Sequence, residues 1–190
     1  LDVPTGGTLQ LGTAADSVGY LLIATNTTDG AKASANLDFS LTNPTFTAYI
    51  GTELRIASGV AGESEGLLKL ASNSTLNVGT AAALADINIG WNYDAHPTTS
   101  VGVLDALNPA ANVNWNLDEL YIGRSSYGWG TATGTLRWNQ TEAILTDAVY
   151  LAYGGGTTAL LDVPTGGALQ LGTAADPVGY LFIATNTTSG

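Results

Sequence analysis

Three acidic residues recur at intervals of 33 along the chain: Glu53, Asp86 and Glu119. Carboxylates gathered in one place can bind Ca²⁺, which takes several oxygen ligands, or can share the acid and base roles in cleaving a glycosidic bond. They can equally be acidic residues at turns that discourage edge pairing and keep the chain soluble, and that is the expectation here. The rest of the sequence offers catalysis little. His96 is the single histidine, in the loop Asp94-Ala95-His96-Pro97, and there is no cysteine. Thiolate zinc sites, cysteine nucleophiles and serine-histidine triads therefore have no support. We expect no enzyme, no catalytic residue and no resident cofactor, with a calcium ion at that column as the one alternative. A polysaccharide-cleaving enzyme would need the three carboxylates in a groove beside a basic residue.

A second group is aromatic. Tyr121, Tyr150 and Phe182 stand at corresponding places in successive stretches of chain, flanked by Trp91, Arg124 and Tyr153 just past the small residue of three successive stretches. Stacked rings would form a flat, partly apolar stripe able to bind sugar rings, to contact a neighbouring filament, or simply to hold adjacent strands together. Arg124 between Trp91 and Tyr153 also permits a cation–π stack. A third group alternates in sign: Asp38, Lys69, Asp105, Arg137, Asp162. Opposite charges on neighbouring strands favour correct pairing, and a slipped register would set like charges together. Asp2 falls beside Asp38 in this scheme, two negatives in succession, either a solvated mismatch or a place for a cation.

The elements that would carry these residues follow from apolar-x-apolar triplets. Leu21-Leu22-Ile23, Leu54-Arg55-Ile56, Ile87-Asn88-Ile89, Leu120-Tyr121-Ile122, Val149-Tyr150-Leu151 and Leu181-Phe182-Ile183 succeed one another at steps of 33, 33, 33, 29 and 32. A small residue follows every one: Ala24, Ala57, Gly90, Gly123, Ala152, Ala184. A second set, each with a charge between two apolar residues, is Leu37-Asp38-Phe39, Leu68-Lys69-Leu70, Leu104-Asp105-Ala106, Leu136-Arg137-Trp138 and Leu161-Asp162-Val163. A looser third set comprises Phe46-Thr47-Ala48, Leu76-Asn77-Val78, Val113-Asn114-Trp115 and Leu169-Gln170-Leu171, with no clear member near Ile144. Alternation over three to five residues is the strand period, and the intervening Gly, Thr and Asn are turn residues. Three short strands per coil of about 32 residues, stacked coil on coil, make a parallel β-solenoid.

Residues 1–30 and 161–190 are identical at 26 of 30 positions. The chain is thus one continuous solenoid segment, residues 1–190: a 160-residue tandem unit plus the start of the next copy, from a longer protein. Its L-x-I-[GA] steps, such as Leu120-Tyr121-Ile122-Gly123, and the G-x-L-x-x of Gly134-Thr135-Leu136-Arg137-Trp138 resemble the right-handed parallel β-helix repeats of giant bacterial surface proteins, autotransporter passengers and adhesins. That resemblance, with a coil much longer than in left-handed hexapeptide solenoids, implies a right-handed form.

Composition narrows the function. Of the 190 residues 45% are hydrophobic and only 11% charged, with a net charge of −11. That balance excludes a nucleic-acid backbone or an anionic membrane surface as partner. No apolar run approaches the ~20 residues of a membrane helix. A surface wetted by Thr, Ser, Asn and Gly rather than by charge suits an extracellular, cell-surface protein. The expected role is structural: a filament, matrix or stalk built from further copies of the repeat, end to end or also side by side, with glycan adhesion through the aromatic stripe as the alternative. Asn26, Asn73, Asn139 and Asn186 head N-x-[ST] sequences, which in a Thr-rich chain carry little weight.

Overall fold

The computed structural model describes residues 3–93, 98–127 and 130–185. His96, Asp2 and Asn186 lie outside them. The described chain is all β and contains no helix. Its strands are β1 (Thr8–Leu11), β2 (Val18–Asn26), β3 (Lys32–Asp38), β4 (Thr45–Gly59), β5 (Glu63–Lys69), β6 (Ser74–Val78), β7 (Ala85–Asn92), β8 (Thr99–Ala106), β9 (Asn112–Ser125), β10 (Thr131–Trp138), β11 (Leu145–Tyr153), β12 (Thr157–Asp162) and β13 (Tyr180–Thr185). Every pairing between these strands is parallel. They stack as a β-solenoid of about five turns, in two sheets.

One sheet is the run β3-β5-β8-β10-β12 and carries the second set of triplets. Leu37, Leu68, Leu104, Leu136 and Leu161 are register partners in that order. The other sheet holds the first and third sets, and all six first triplets align: Leu21, Leu54, Ile87, Leu120, Val149 and Leu181 form one column. Three strand positions per coil are present, but the third and first run together in β4 and β9, which are 15 and 14 residues long. They separate only where a turn intervenes, as between β6 and β7.

The third set needs one correction. Leu76 pairs with Ala48 and with Val113, while Phe46 pairs with Leu9 and Ser74. The aligned triplets are therefore Ala48-Tyr49-Ile50, Leu76-Asn77-Val78 and Val113-Asn114-Trp115, two residues later in the first of them than the spacing predicts. Because the slip is two residues, inside and outside are unchanged. The missing member near residue 144 is also present: Ile144, fully buried, bridges to Leu171.

The small residue after each first triplet is a left-handed corner. Ala24, Ala57, Gly90, Gly123, Ala152 and Ala184 all have φ between 54° and 72°. The backbone thereby turns inward and touches the opposite sheet at the column Ala35, Gly66, Gly102, Gly134, Ala159. A Cβ on Gly102 would overlap the Gly90 amide nitrogen and the Ile56 carbonyl oxygen, and one on Gly134 the Gly123 nitrogen and the Ile89 oxygen. At Gly66 the nearest atoms would be Ala57 N at 3.0 Å, Ile56 Cγ2 at 3.1 Å and Ile23 O at 3.2 Å. Away from this contact the interior widens and takes rings: Phe39 stacks on Phe46 at 4.3 Å, and Trp115 meets Trp138 at 4.8 Å.

Gly102→Ala and Gly134→Ala should each cost about 3 kcal/mol, with Gly66→Ala nearer 1 kcal/mol, because overpacking against backbone has nowhere to relax. Urea unfolding of the three variants checks the order, and equal losses would contradict it.

Candidate functional site

Glu53, Asp86 and Glu119 do lie in successive coils on the outer edge of the first-triplet sheet. Glu53 is the register partner of Asp86. Beyond Asp86 the register shifts, so that Asp118 and Glu119 together oppose it, and Asp86 Oδ1 accepts the Glu119 backbone N–H at 3.2 Å. The three carboxylates do not converge. Glu53 is buried and fully engaged: Arg55 donates Nε to Oε1 at 2.8 Å and a guanidinium N–H to Oε2 at 2.6 Å, and Asn88 Nδ2 donates to Oε1 at 2.8 Å. Among the described residues no group of three acidic or histidine side chains is placed to hold a metal ion. Of the column read from the 33-residue spacing, a bulge displaces one member and an arginine two residues along the strand claims another.

Asp86 keeps a poor environment. Burial raises its pKa above the ordinary carboxylate value; the Glu119 N–H opposes this, and the nearby Glu119, Asp118 and Glu53 carboxylates add to it. Asp38 is the opposite case. Burial pushes it up, but the Ser40 hydroxyl and amide and the Lys69 ammonium together hold it below its usual value.

The alternating charges form one ladder, Asp38–Lys69–Asp105–Arg137–Asp162, each residue the register partner of the next. Ion pairs join Lys69 to Asp38 at 3.5 Å and Arg137 to Asp105 at 3.4 Å and to Asp162 at 3.7 Å. The aspartates also cap the corner that follows their strand. Asp38 Oδ1 accepts the Ser40 N–H at 2.9 Å, and Asp105 Oδ1 accepts the Leu107 N–H at 3.1 Å.

The aromatic residues assemble into two adjoining ladders. Tyr121, Tyr150 and Phe182 stack with centroids 4.3 and 4.9 Å apart and planes within 8°. Beside them Trp91, Arg124 and Tyr153 are register partners. Trp91 lies between Arg55 of the coil before, 4.2 Å from its centroid, and Arg124 of the coil after, at 4.6 Å. Arg124 also covers Tyr121 at 4.1 Å, and Tyr153 meets Tyr121 and Tyr150 edge-on. Tyr121 is buried, and that burial, followed by the Glu119 carboxylate, pushes its hydroxyl pKa up. The ring faces of the inner members are thus spent on one another and on guanidinium groups. A pyranose stacks on a ring face, so the stripe offers sugars little beyond the edges of its rings.

Two features went unread in the sequence. Asn26 is buried, with Nδ2 donating to the Ala31 and Glu63 carbonyls and Oδ1 accepting the Thr28 N–H, so it braces a corner and is no glycosylation acceptor. The sequence Gly-Thr-Ala-Ala occurs at 12–15, 79–82 and 172–175, and each copy opens the same projecting turn. The glycines have φ of 69°, 67° and 65°, and Thr13, Thr80 and Thr173 donate their N–H to the carbonyl three residues on. The recurrence of that tetrapeptide was the available signal.

Comparison of the chain with protein-family models, with curated proteins and with solved structures finds no match.

Two outcomes follow. A carboxylate whose folded pKa is raised contributes least once ionised, so its cost appears as pH rises from the unfolded value through the folded one. Asp86→Asn, which keeps an oxygen for the Glu119 N–H, should stabilise by on the order of 0.5 kcal/mol at pH 7 and by nothing near pH 3.5. Thermal melts at both values test this. Lys69→Glu sets three acids in a row and should cost about 1 kcal/mol at low salt, less at high salt. An unchanged melting temperature would remove any role of the ladder in register.

Proposed function

We propose that the chain is a structural segment of an extracellular tandem-repeat protein, elongated by end-to-end continuation of the solenoid into a filament, matrix or stalk. One observation carries this. β2 and β13 carry the same repeat, differing over residues 20–25 and 180–185 only at Leu22 and Phe182, on two different neighbours. β2 pairs through one edge with β4, Leu21 to Leu54, and β13 through its other edge with β11, Leu181 to Val149. The two pairings are compatible, so a strand of this sequence inside a longer array satisfies both edges. Ile23 in β2 is 3% exposed, while Leu181 and Ile183 in β13 are 53% and 68% exposed. A further copy supplies the cover that residues 32–59 give to β2.

Solenoid stability is a sum of coil terms and interfaces between neighbours, so lengthening strengthens the array and stiffens it along one axis. A net charge of −11 keeps such rods dispersed. Surface location and the likeness to bacterial adhesin repeats belong to this proposal as its setting. An adhesin using the aromatic stripe is less well supported, since the ring faces there are occupied. A glycosidase using the acidic column is less well supported too, since Glu53 is locked by Arg55 and Asn88.

Small-angle scattering of one, two and three tandem units should show a rod that lengthens by about 24 Å per unit, five coils at about 4.8 Å each. Its melting temperature should rise with unit number. A compact particle whose units melt independently would overturn the reading.

A further inference from the structure

We propose that the groove between the first two projecting turns binds a neutral oligosaccharide. It stands apart from the filament reading and would hold whether or not the units stack end to end. The turns beginning at Gly12 and Gly79 rise from the coils on either side of β4, whose own backbone runs straight through the same place. Between them is a groove of about 490 Å³ lined by Tyr49, Asn77, Asn114 and Asn116, with Ser17 and Thr80 on the turns. That volume lies within the range of small-ligand sites.

Three properties select the ligand. The first is an open ring face. Tyr49 is partnered on one side by Asn77, while Gly12 of the preceding coil, packed against the Tyr49 backbone, has no side chain to cover the other. Among the described residues no aromatic ring stacks on it, unlike Tyr121 and Tyr150 in the stripe. An open tyrosine face suits the C–H face of a pyranose.

The second is a ladder of amides. Asn77 and Asn114 are register partners. Asn77 Nδ2 donates to the Ala48 carbonyl at 3.1 Å, and Asn114 Nδ2 donates to Asn77 Oδ1 at 2.9 Å and to Asn112 Oδ1 at 3.1 Å. These bonds hold the amides in fixed orientation and leave Asn114 Oδ1, with the Asn116 amide beside it, for a ligand. Side-chain amides offer a donor and an acceptor in one plane, which matches adjacent sugar hydroxyls.

The third is charge. Among the described residues no acidic or basic side chain lines the groove, in a chain whose net charge is −11. An anionic glycan meets overall repulsion, and so does a second copy of this chain approaching side by side. A neutral polyol meets none. Because the groove belongs to the 160-residue unit, tandem copies present it repeatedly, and a long polysaccharide would gain from avidity.

The experiment titrates neutral hexasaccharides of β-1,4-glucose, α-1,4-glucose, β-1,4-mannose and β-1,4-xylose, with hexagalacturonic acid as charged comparison, into the 190-residue chain by calorimetry. At least one neutral sugar should bind one to one, and the acid at least about tenfold more weakly. Tyr49→Ala and Asn114→Ala, both on the outer face, should each weaken binding about tenfold or more with an unchanged circular dichroism spectrum, while Phe182→Leu in the stripe leaves it intact. No binding by any neutral sugar, binding that survives both groove variants, or loss with Phe182→Leu alone would each overturn the proposal. So would side-by-side dimers in sedimentation that Tyr49→Ala abolishes, which would give the groove to another copy.

Discussion

The contact between a left-handed corner in one sheet and a glycine column in the other is the constraint on which the remaining geometry depends. At Gly102 and Gly134 the two backbones approach so closely that no Cβ fits. This fixes the separation of the sheets at one side of the interior and so decides what fits at increasing distance from it. Next to the glycines comes a column of leucine, Leu37 to Leu161, and then the wide side, where Trp138 sits beside Ala106 and its ring packs on Trp115. A coil moved along its neighbours would bring a leucine to the glycine position, so the same contact that sets the width also sets the register.

Once register is fixed, every outward position becomes a column at strand spacing, and its chemistry is that of like residues stacked. Flat groups gain most. Tyr121, Tyr150 and Phe182 lie face to face, and the guanidinium groups of Arg55 and Arg124 cover Trp91. This stacking uses up the surfaces that a ligand would need. An exposed-looking aromatic stripe on a solenoid is therefore a poor guide to binding, and a single ring beside a glycine, as at Tyr49, is a better one. Carboxylates show the converse. Stacked acids repel, and the chain relieves the column at one step by pairing Glu53 with Arg55, while at the next the bulge sets Asp118 and Glu119 together against Asp86.

Much of this was legible in the sequence. The first and second triplets carry strict alternation and a fixed small residue or charge, so their spacing alone gives the register of both sheets. The corner was visible as Ala or Gly at all six places, and the cause is a left-handed backbone and a close approach across the interior. The third set was misaligned by two residues because Phe46 and Ala48 are both inward-facing members of one long strand, and an apolar-x-apolar triplet fits either start. The engagement of the acidic column was not legible, for another reason. Spacing predicts which residues stack, whereas the direction in which Glu53 points depends on Arg55 and Asn88, and no periodicity encodes that choice.

The unit length itself follows from the outer surface rather than the core. One coil of about 32 residues would suffice to repeat the interior columns, yet near-identity recurs only after 160 residues. The projecting turns explain the difference in physical terms. They rise in the coil of β1 and β2, in that of β6 and β7, and again before β13, so the gaps between them span one coil and then two. The charge ladder has five members, an odd number, and ends on the sign with which it began. Neither pattern closes on itself in fewer than five coils. The core thus sets the coil, and the exposed turns and charges set the unit, which places the information that distinguishes one coil from the next on the surface that meets other molecules.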